Sequence, residues 1–153
     1  MKKLEWAYLA GLFDGEGTFT ISNSPPRNNS PSYAFKEIYV TNTNLEVLEW
    51  IKDKLDGSIR VTKYGDDKGW KDVYKWHCGA KQHFYLVKNM LPFLIIKRIQ
   101  AECILEFIKL KKKQKANKRG IYGLTDKEWE ERNKILQKVR ALNKRAVNTA
   151  LND

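Results

Sequence analysis

Apolar and polar positions along this chain change period several times, and the changes mark the elements. Trp6, Leu9 and Phe13 recur at helical spacing, while Ala7, Gly11 and Asp14, with Ala10 beside them, leave a second stripe almost bare of side chains. Gly15 and Gly17 supply stop signals for that helix. Thr18-Phe19-Thr20-Ile21-Ser22 then alternates strictly, which predicts a half-buried strand. The stretch 23–32, rich in Ser, Pro and Asn with Arg27 in its middle, reads as an exposed loop. A second strand runs from about Tyr33 to Thr41 on aromatic and β-branched content. Leu45, Leu48, Ile51 and Leu55 predict a helix, with Asn44 or Thr43 as N-cap and Asp56-Gly57 as its end.

Ile59 to Tyr64 alternates again, with Arg60 and Thr62 opposite Ile59 and Val61. Lys71 to Cys78 is the return strand of a hairpin turning at 65–69, with Lys75 and His77 opposite Tyr74, Trp76 and Cys78. Lys81 to Met90 predicts a short helix, broken around Pro92, and a longer helix follows from about Ile95 to Lys113. After Gly120 and Gly123, Thr125 caps a helix with Glu128 at its N3 position that continues to about Leu142. The order is α-β-β-α-β-β-α-α-α, an α+β class. It predicts one curved four-stranded antiparallel sheet with helices on one face and the other face open.

Composition narrows the partners. At 153 residues the chain is one domain, and 42% hydrophobic content with five Trp, seven Tyr and six Phe predicts a folded globule. A net charge of +11 points to a polyanion. No apolar run approaches a membrane span and no secretory pattern opens the chain, so no membrane partner is expected. Cys78 and Cys103 lack metal-ligand spacing and read as buried reduced thiols of an intracellular protein, in cytoplasm, nucleoid or organelle. Lys109, Lys111, Lys112, Lys113, Lys115, Lys118 and Arg119 form a charge run, a solvated face or an anion contact.

The chemistry concentrates where the first helix stops. Glu16 stands between two glycines at a helix C-terminus, where outward-pointing carbonyls and a carboxylate together make a cation site. On the strands, Thr18, Thr20, Ser22, Tyr39, Arg60, Thr62, Lys75 and His77 occupy the polar alternate positions. A β-ribbon of such residues can read base edges in the major groove, with Arg60 suited to guanine.

The string Leu9-Ala10-Gly11-Leu12-Phe13-Asp14-Gly15-Glu16-Gly17 resembles the motif of the LAGLIDADG homing endonucleases. It agrees at Leu9, Ala10, Gly11, Leu12, Asp14 and Gly17. Phe13 replaces an aliphatic residue, Gly15 a small one and Glu16 the second aspartate. The motif occurs once, and the element order resembles the single-motif, homodimeric branch, so a single domain over 1–153 is expected, with a helical extension from about 125 to 153.

The resemblance implies a homodimeric, site-specific double-strand DNA endonuclease that uses Mg2+ and cuts a long near-palindromic site. Glu16 would be the metal-binding acid, with the Gly15 carbonyl as backbone ligand. Lys97, after Pro92-Phe93-Leu94-Ile95-Ile96, resembles the family's active-site lysine, with Arg98 as the adjacent competitor. Asn42 corresponds to a polar residue that positions water, and could equally serve as an N-cap. Lys144 and Arg145 resemble phosphate contacts near the C-terminus. Ala7, Ala10, Gly11 and Asp14 would face a second copy. Two other activities fit the same resemblance: an intron RNA-binding maturase, and a non-catalytic DNA-binding regulator.

Overall fold

The structure is a computed structural model, and it describes residues 1–24, 33–63, 71–114 and 125–144. Helix α1 (Lys3–Glu16) leads directly into strand β1 (Gly17–Ser24), and β2 (Tyr33–Asn42) pairs antiparallel with it. Helix α2 (Leu45–Leu55) connects to the hairpin of β3 (Ser58–Thr62) and β4 (Val73–His77). Helix α3 (His83–Met90) and a 3-10 turn (Leu91–Phe93) precede the two long helices α4 (Arg98–Lys113) and α5 (Asp126–Asn143). The order read from the sequence is the order found. The four strands form one antiparallel sheet ordered β1-β2-β4-β3, because β2 also pairs with β4.

The register sorts every strand residue to a face. Gly17 pairs with Val40, Phe19 with Ile38, Val40 with Trp76 and Ile59 with Trp76, and Phe19, Ile38, Val40 and Trp76 are buried. That face packs on the helices through Leu9, Phe13, Leu48, Ile51, Leu86, Ile104, Phe107 and Leu136. The alternate residues lie on the face that none of the described helices covers.

Local chemistry accounts for the boundaries. Asn44 is the N-cap of α2, its Oδ1 accepting from Val47 N at 3.1 Å, and α2 ends at Asp56 and Gly57, both at positive φ. Gly57 has no alternative there, since at φ 105° an added Cβ would lie 2.5 Å from the His77 carbonyl oxygen. Thr125 and Glu128 form the expected capping box of α5. Two buried polar residues, Gln114 and Arg132, join α4 to α5. Arg132 Nε donates to Gln114 Oε1 at 2.7 Å, and Gln114 Nε2 donates to Glu131 at 2.8 Å. Asn143 Nδ2 donates to Phe19 O at 3.0 Å, tying the end of α5 to β1.

Both cysteines are free and buried, as expected, and burial pushes the Cys78 thiol up to about 12. Among the described residues no helix is long and apolar enough to cross a membrane. The 65–69 turn, Tyr64, Arg27, Arg145 and the distal part of the charge run lie outside the described residues.

Candidate active site and nucleic-acid interface

The end of α1 is where the site is built. Gly17 is the C-cap, and a Cβ there would sit 2.7 Å from the Phe13 Cα. Only glycine lets helix and strand meet this closely. Glu16, the last helical residue, is exposed, and so is Gly15.

Lys97, just ahead of α4, comes to this terminus from far along the chain. Its Nζ donates to Gly17 O at 2.6 Å, Phe13 O at 3.0 Å and Gly15 O at 3.4 Å. An ammonium at the carbonyl end of a helix is electrostatically favoured. Burial nevertheless moves the Lys97 pKa below its usual value, with Asp14 and Glu16 pulling the other way. Arg98 instead pairs with Glu102 along α4, Nε to Oε1 at 3.3 Å, so of the two adjacent cations Lys97 is the one at the site.

Asp14 fixes the approach. Its carboxylate accepts from Ile95 N at 2.8 Å and Lys97 N at 2.9 Å. This bears on one expectation. Helix α4 starts at Arg98 and not near Ile95, and the Ile95 and Lys97 amides ahead of it bond the Asp14 carboxylate. The Asp14 carboxylate is thus engaged within its own chain.

The stripe of α1 is also displaced. Ala10 is fully buried in the core with Trp6, Leu9 and Phe13, so it has no surface to offer a partner. The outward positions are Leu4, Tyr8, Gly11 and Gly15, spaced at i, i+4, i+7 and i+11, with Ala7 at the margin. Leu4 is 83% exposed and Tyr8 56%, which makes this an apolar surface rather than a merely bare one. Tyr8 meets Trp50 of α2 edge-on at 5.4 Å.

Asn42 ends β2 two residues past the partner of Gly17, and shares the helix-side parity of Val40. Its Oδ1 accepts from Asn44 N at 2.8 Å. It shapes the turn into α2, while Asn44 is the actual N-cap. The oxygen of Asn42 is therefore already engaged, whatever its amide nitrogen does.

The strand residues chosen from alternation come together. Across the open face one row runs Thr18, Tyr39, His77, Ser58, and the next runs Thr41, Lys75, Arg60. Thr20 stands opposite Glu37, Ser22 opposite Phe35, and Thr62 opposite Val73. Tyr39 and His77 rings lie 5.6 Å apart, and Lys75 Nζ sits 4.4 Å over the Tyr39 ring. Arg60 and Lys75 are direct cross-strand neighbours, an arrangement that costs stability in isolation. Burial, then Arg60 and Lys75, hold the His77 pKa below its usual value. A fold that keeps like charges side by side on an uncovered face suits a polyanion. Ser58, Thr41, Glu37 and Phe35 belong to the face as well, and strand parity alone would have found them. Lys144 is exposed just past α5, away from these rows in sequence.

The chain's donors suit a divalent ion only in part. Glu16 offers a carboxylate and Gly15 a carbonyl at the negative end of a helix, but the described residues contain no group of three or more His, Cys, Asp or Glu able to hold a metal. Asp14 is committed to backbone amides, and the Gly15 carbonyl faces Lys97.

An α+β scaffold with an exposed acid and a lysine at one helix terminus, beside a polar and basic sheet face, has the build of a nucleic-acid-processing enzyme. A sequence model described as LAGLIDADG endonuclease matches residues 9–114. The chain belongs to the LAGLIDADG endonuclease family. No curated protein sequence matches it. Among solved structures, the homing endonuclease I-CvuI, in complex with its target in the presence of 2 mM Ca, superposes with a TM-score of 0.69 at 22% identity, over 94% of this chain and 85% of that one. The archaeal intron-encoded homing endonuclease I-Vdi141I, complexed with DNA, gives 0.72 at 18% identity, over 95% and 87%. I-CeuI, a group I intron-encoded homing endonuclease complexed with DNA, gives 0.66 at 16%, over 91% and 67%. At these identities the likeness is one of fold.

Proposed function

We propose that this protein is a site-specific double-strand DNA endonuclease of the intron-homing kind, a homodimer that hydrolyses one phosphodiester in each strand of a long, near-palindromic site. The observation that carries the reading is the convergence of Glu16 and Lys97 on the α1 terminus, from which β1 leads directly into the open face. A strand held at that terminus has its bases over the Thr18–Tyr39–His77 and Thr41–Lys75–Arg60 rows. Arg60 and Lys75 read guanine edges, Thr18, Thr20, Ser22 and Thr62 make softer contacts, and Lys144 with Arg145 grips phosphate.

Magnesium bound by Glu16 and the Gly15 carbonyl, with their symmetry mates, would neutralise the scissile phosphate and lower the pKa of an attacking water. The residues of the chain do the rest. Lys97 has three protons on three carbonyls, and the longest contact, to Gly15, is the one most easily exchanged for a phosphate oxygen. Asp14 keeps Lys97 in place by holding its backbone. Asn42, anchored through Oδ1, has its amide nitrogen for a water. Dimerisation uses the Leu4–Tyr8–Gly11–Gly15 face of α1, which brings two Glu16 carboxylates together. Incubation with a randomised-site duplex library in magnesium tests the reading: recovery of one cleaved family of near-palindromic sites is expected, and intact DNA under all divalent conditions would refute it.

A further inference from the structure

On the other side of the sheet from the base-reading rows, a cavity of about 330 Å3 opens between β2, the start of α3 and the end of α4. Its walls include four lysines, Lys36, Lys81, Lys111 and Lys112, together with Phe84 and Ile108, and among the described residues no acid lines it. Lys36 interrupts the apolar alternation of Ala34, Ile38 and Val40, so β2 places a cation on its helix-side face where a hydrophobic residue would fit the pattern. Lys111 and Lys112 belong to the charge run at the end of α4, which the proposed endonuclease reaction does not use.

Four ammonium groups around one small cavity repel each other, and nothing described neutralises them. Among the described residues no ion pair includes any of the four. Two of the heads are steadied by aromatic faces: Lys112 Nζ lies 5.1 Å over Phe84 in the cavity wall, and Lys111 Nζ 5.9 Å over Phe107 beside it in α4. Burial and the neighbouring Lys111 both move the Lys36 pKa below its ordinary value. Burial, then Arg132, does the same for Lys111. The folded chain bears this repulsion permanently, and an anion entering the cavity removes it.

We propose that this cavity is a phosphate-binding site separate from the duplex-reading face, in which Lys36, Lys81, Lys111 and Lys112 surround one phosphate against the Phe84 wall. The volume lies at the small end of ligand sites and suits a single phosphorylated unit. That unit is a phosphate of a single-stranded nucleic acid or of a free mononucleotide. The site is independent of the endonuclease reading, because none of its residues lies at the α1 terminus or on the open face.

The 153-residue chain is compared with Lys36→Gln and with the rim pair Lys81→Gln/Lys112→Gln, using Lys88→Gln, an exposed α3 lysine outside the cavity, as the charge control. Inorganic phosphate, AMP, a single-stranded RNA 12-mer and its DNA counterpart are titrated as probes, and target-duplex affinity and melting temperature are measured in parallel. The cavity variants should lose about tenfold in affinity for each lysine removed, while Lys88→Gln and duplex affinity stay at parental values. Loss confined to phosphate and AMP identifies a free nucleotide as ligand. Loss that includes the 12-mers, with a salt slope shallower by about 0.7 per lysine, identifies a strand. Equal loss in Lys88→Gln, parallel loss of duplex binding, or parental binding by the folded cavity variants would each overturn the proposal.

Discussion

Gly11→Leu separates folding of the chain from its assembly. A Cβ built at Gly11 meets nothing within 4 Å, so within one chain the leucine side chain enters open space. Leucine is also the better helix former, by about 0.8 kcal/mol, so the monomer should be no less stable than the parent. In a homodimer built on the exposed face of α1 the same side chain meets its symmetry mate. Overpacking a tight contact costs about 1–3 kcal/mol, and a two-fold axis applies it twice, giving about 2–6 kcal/mol. The dimer dissociation constant should therefore rise by about 30-fold to twenty-thousand-fold. Sedimentation velocity over a concentration series, with a thermal melt by circular dichroism, reads both effects. The expected result is a folded monomer with its α1 helix intact and no double-strand cleavage. A dimer of parental affinity would refute α1 as the interface, and an unfolded chain would refute the open space around Gly11.

Strand alternation needs only local information, and it was the most legible feature of the chain. Thr18, Thr20, Ser22, Tyr39, Arg60, Lys75 and His77 all fall on the uncovered face because side-chain period two leaves no freedom once the register is set. What the sequence did not reveal depends on partners far away along the chain. The segment leading into α4 is tied down by Asp14, more than 80 residues earlier, which accepts from the Ile95 and Lys97 amides. Ala10 is as compatible with a surface as with a core, and only the packing of α1 on the sheet decides it. The Lys97 contacts with three carbonyls are equally invisible to periodicity. The buried Arg132 had a signal, since it falls with Ile135, Leu136 and Val139 on the apolar stripe of α5. Lys36, a cation at a core parity of β2, carried a comparable one.

Three further outcomes follow from particular contacts. Gly17→Ala should destabilise the chain by about 1–3 kcal/mol in urea unfolding, because the added methyl meets Phe13 backbone at 2.7 Å; an unchanged midpoint would contradict the close approach. Asp14→Ala strips two backbone amides of their acceptor, so a loss of about 1–2 kcal/mol is expected together with weakened cleavage, whereas parental stability would show that the 95–97 segment holds itself. His83 is buried with Nε2 on the Cys78 carbonyl at 3.0 Å, and burial holds its pKa at about 4, against 6.5 when unfolded. Because the folded value is the lower one, its contribution is full above pH 6.5 and is lost as pH falls towards 4. The amount is about 3 kcal/mol, and a His83→Phe variant should lack that part of the acid slope.

Cleavage by Glu16→Gln bears most directly on the central claim. Glu16 is exposed at the end of α1, so the substitution should leave the melting temperature and dimerisation intact. The rate of cutting is to be measured on the duplex recovered from library selection, at saturating magnesium, for parent and variant side by side. A fall of at least about a hundredfold, with duplex binding retained, is the predicted result. Cutting at the parental rate would contradict the assignment of the chemistry to the α1 terminus.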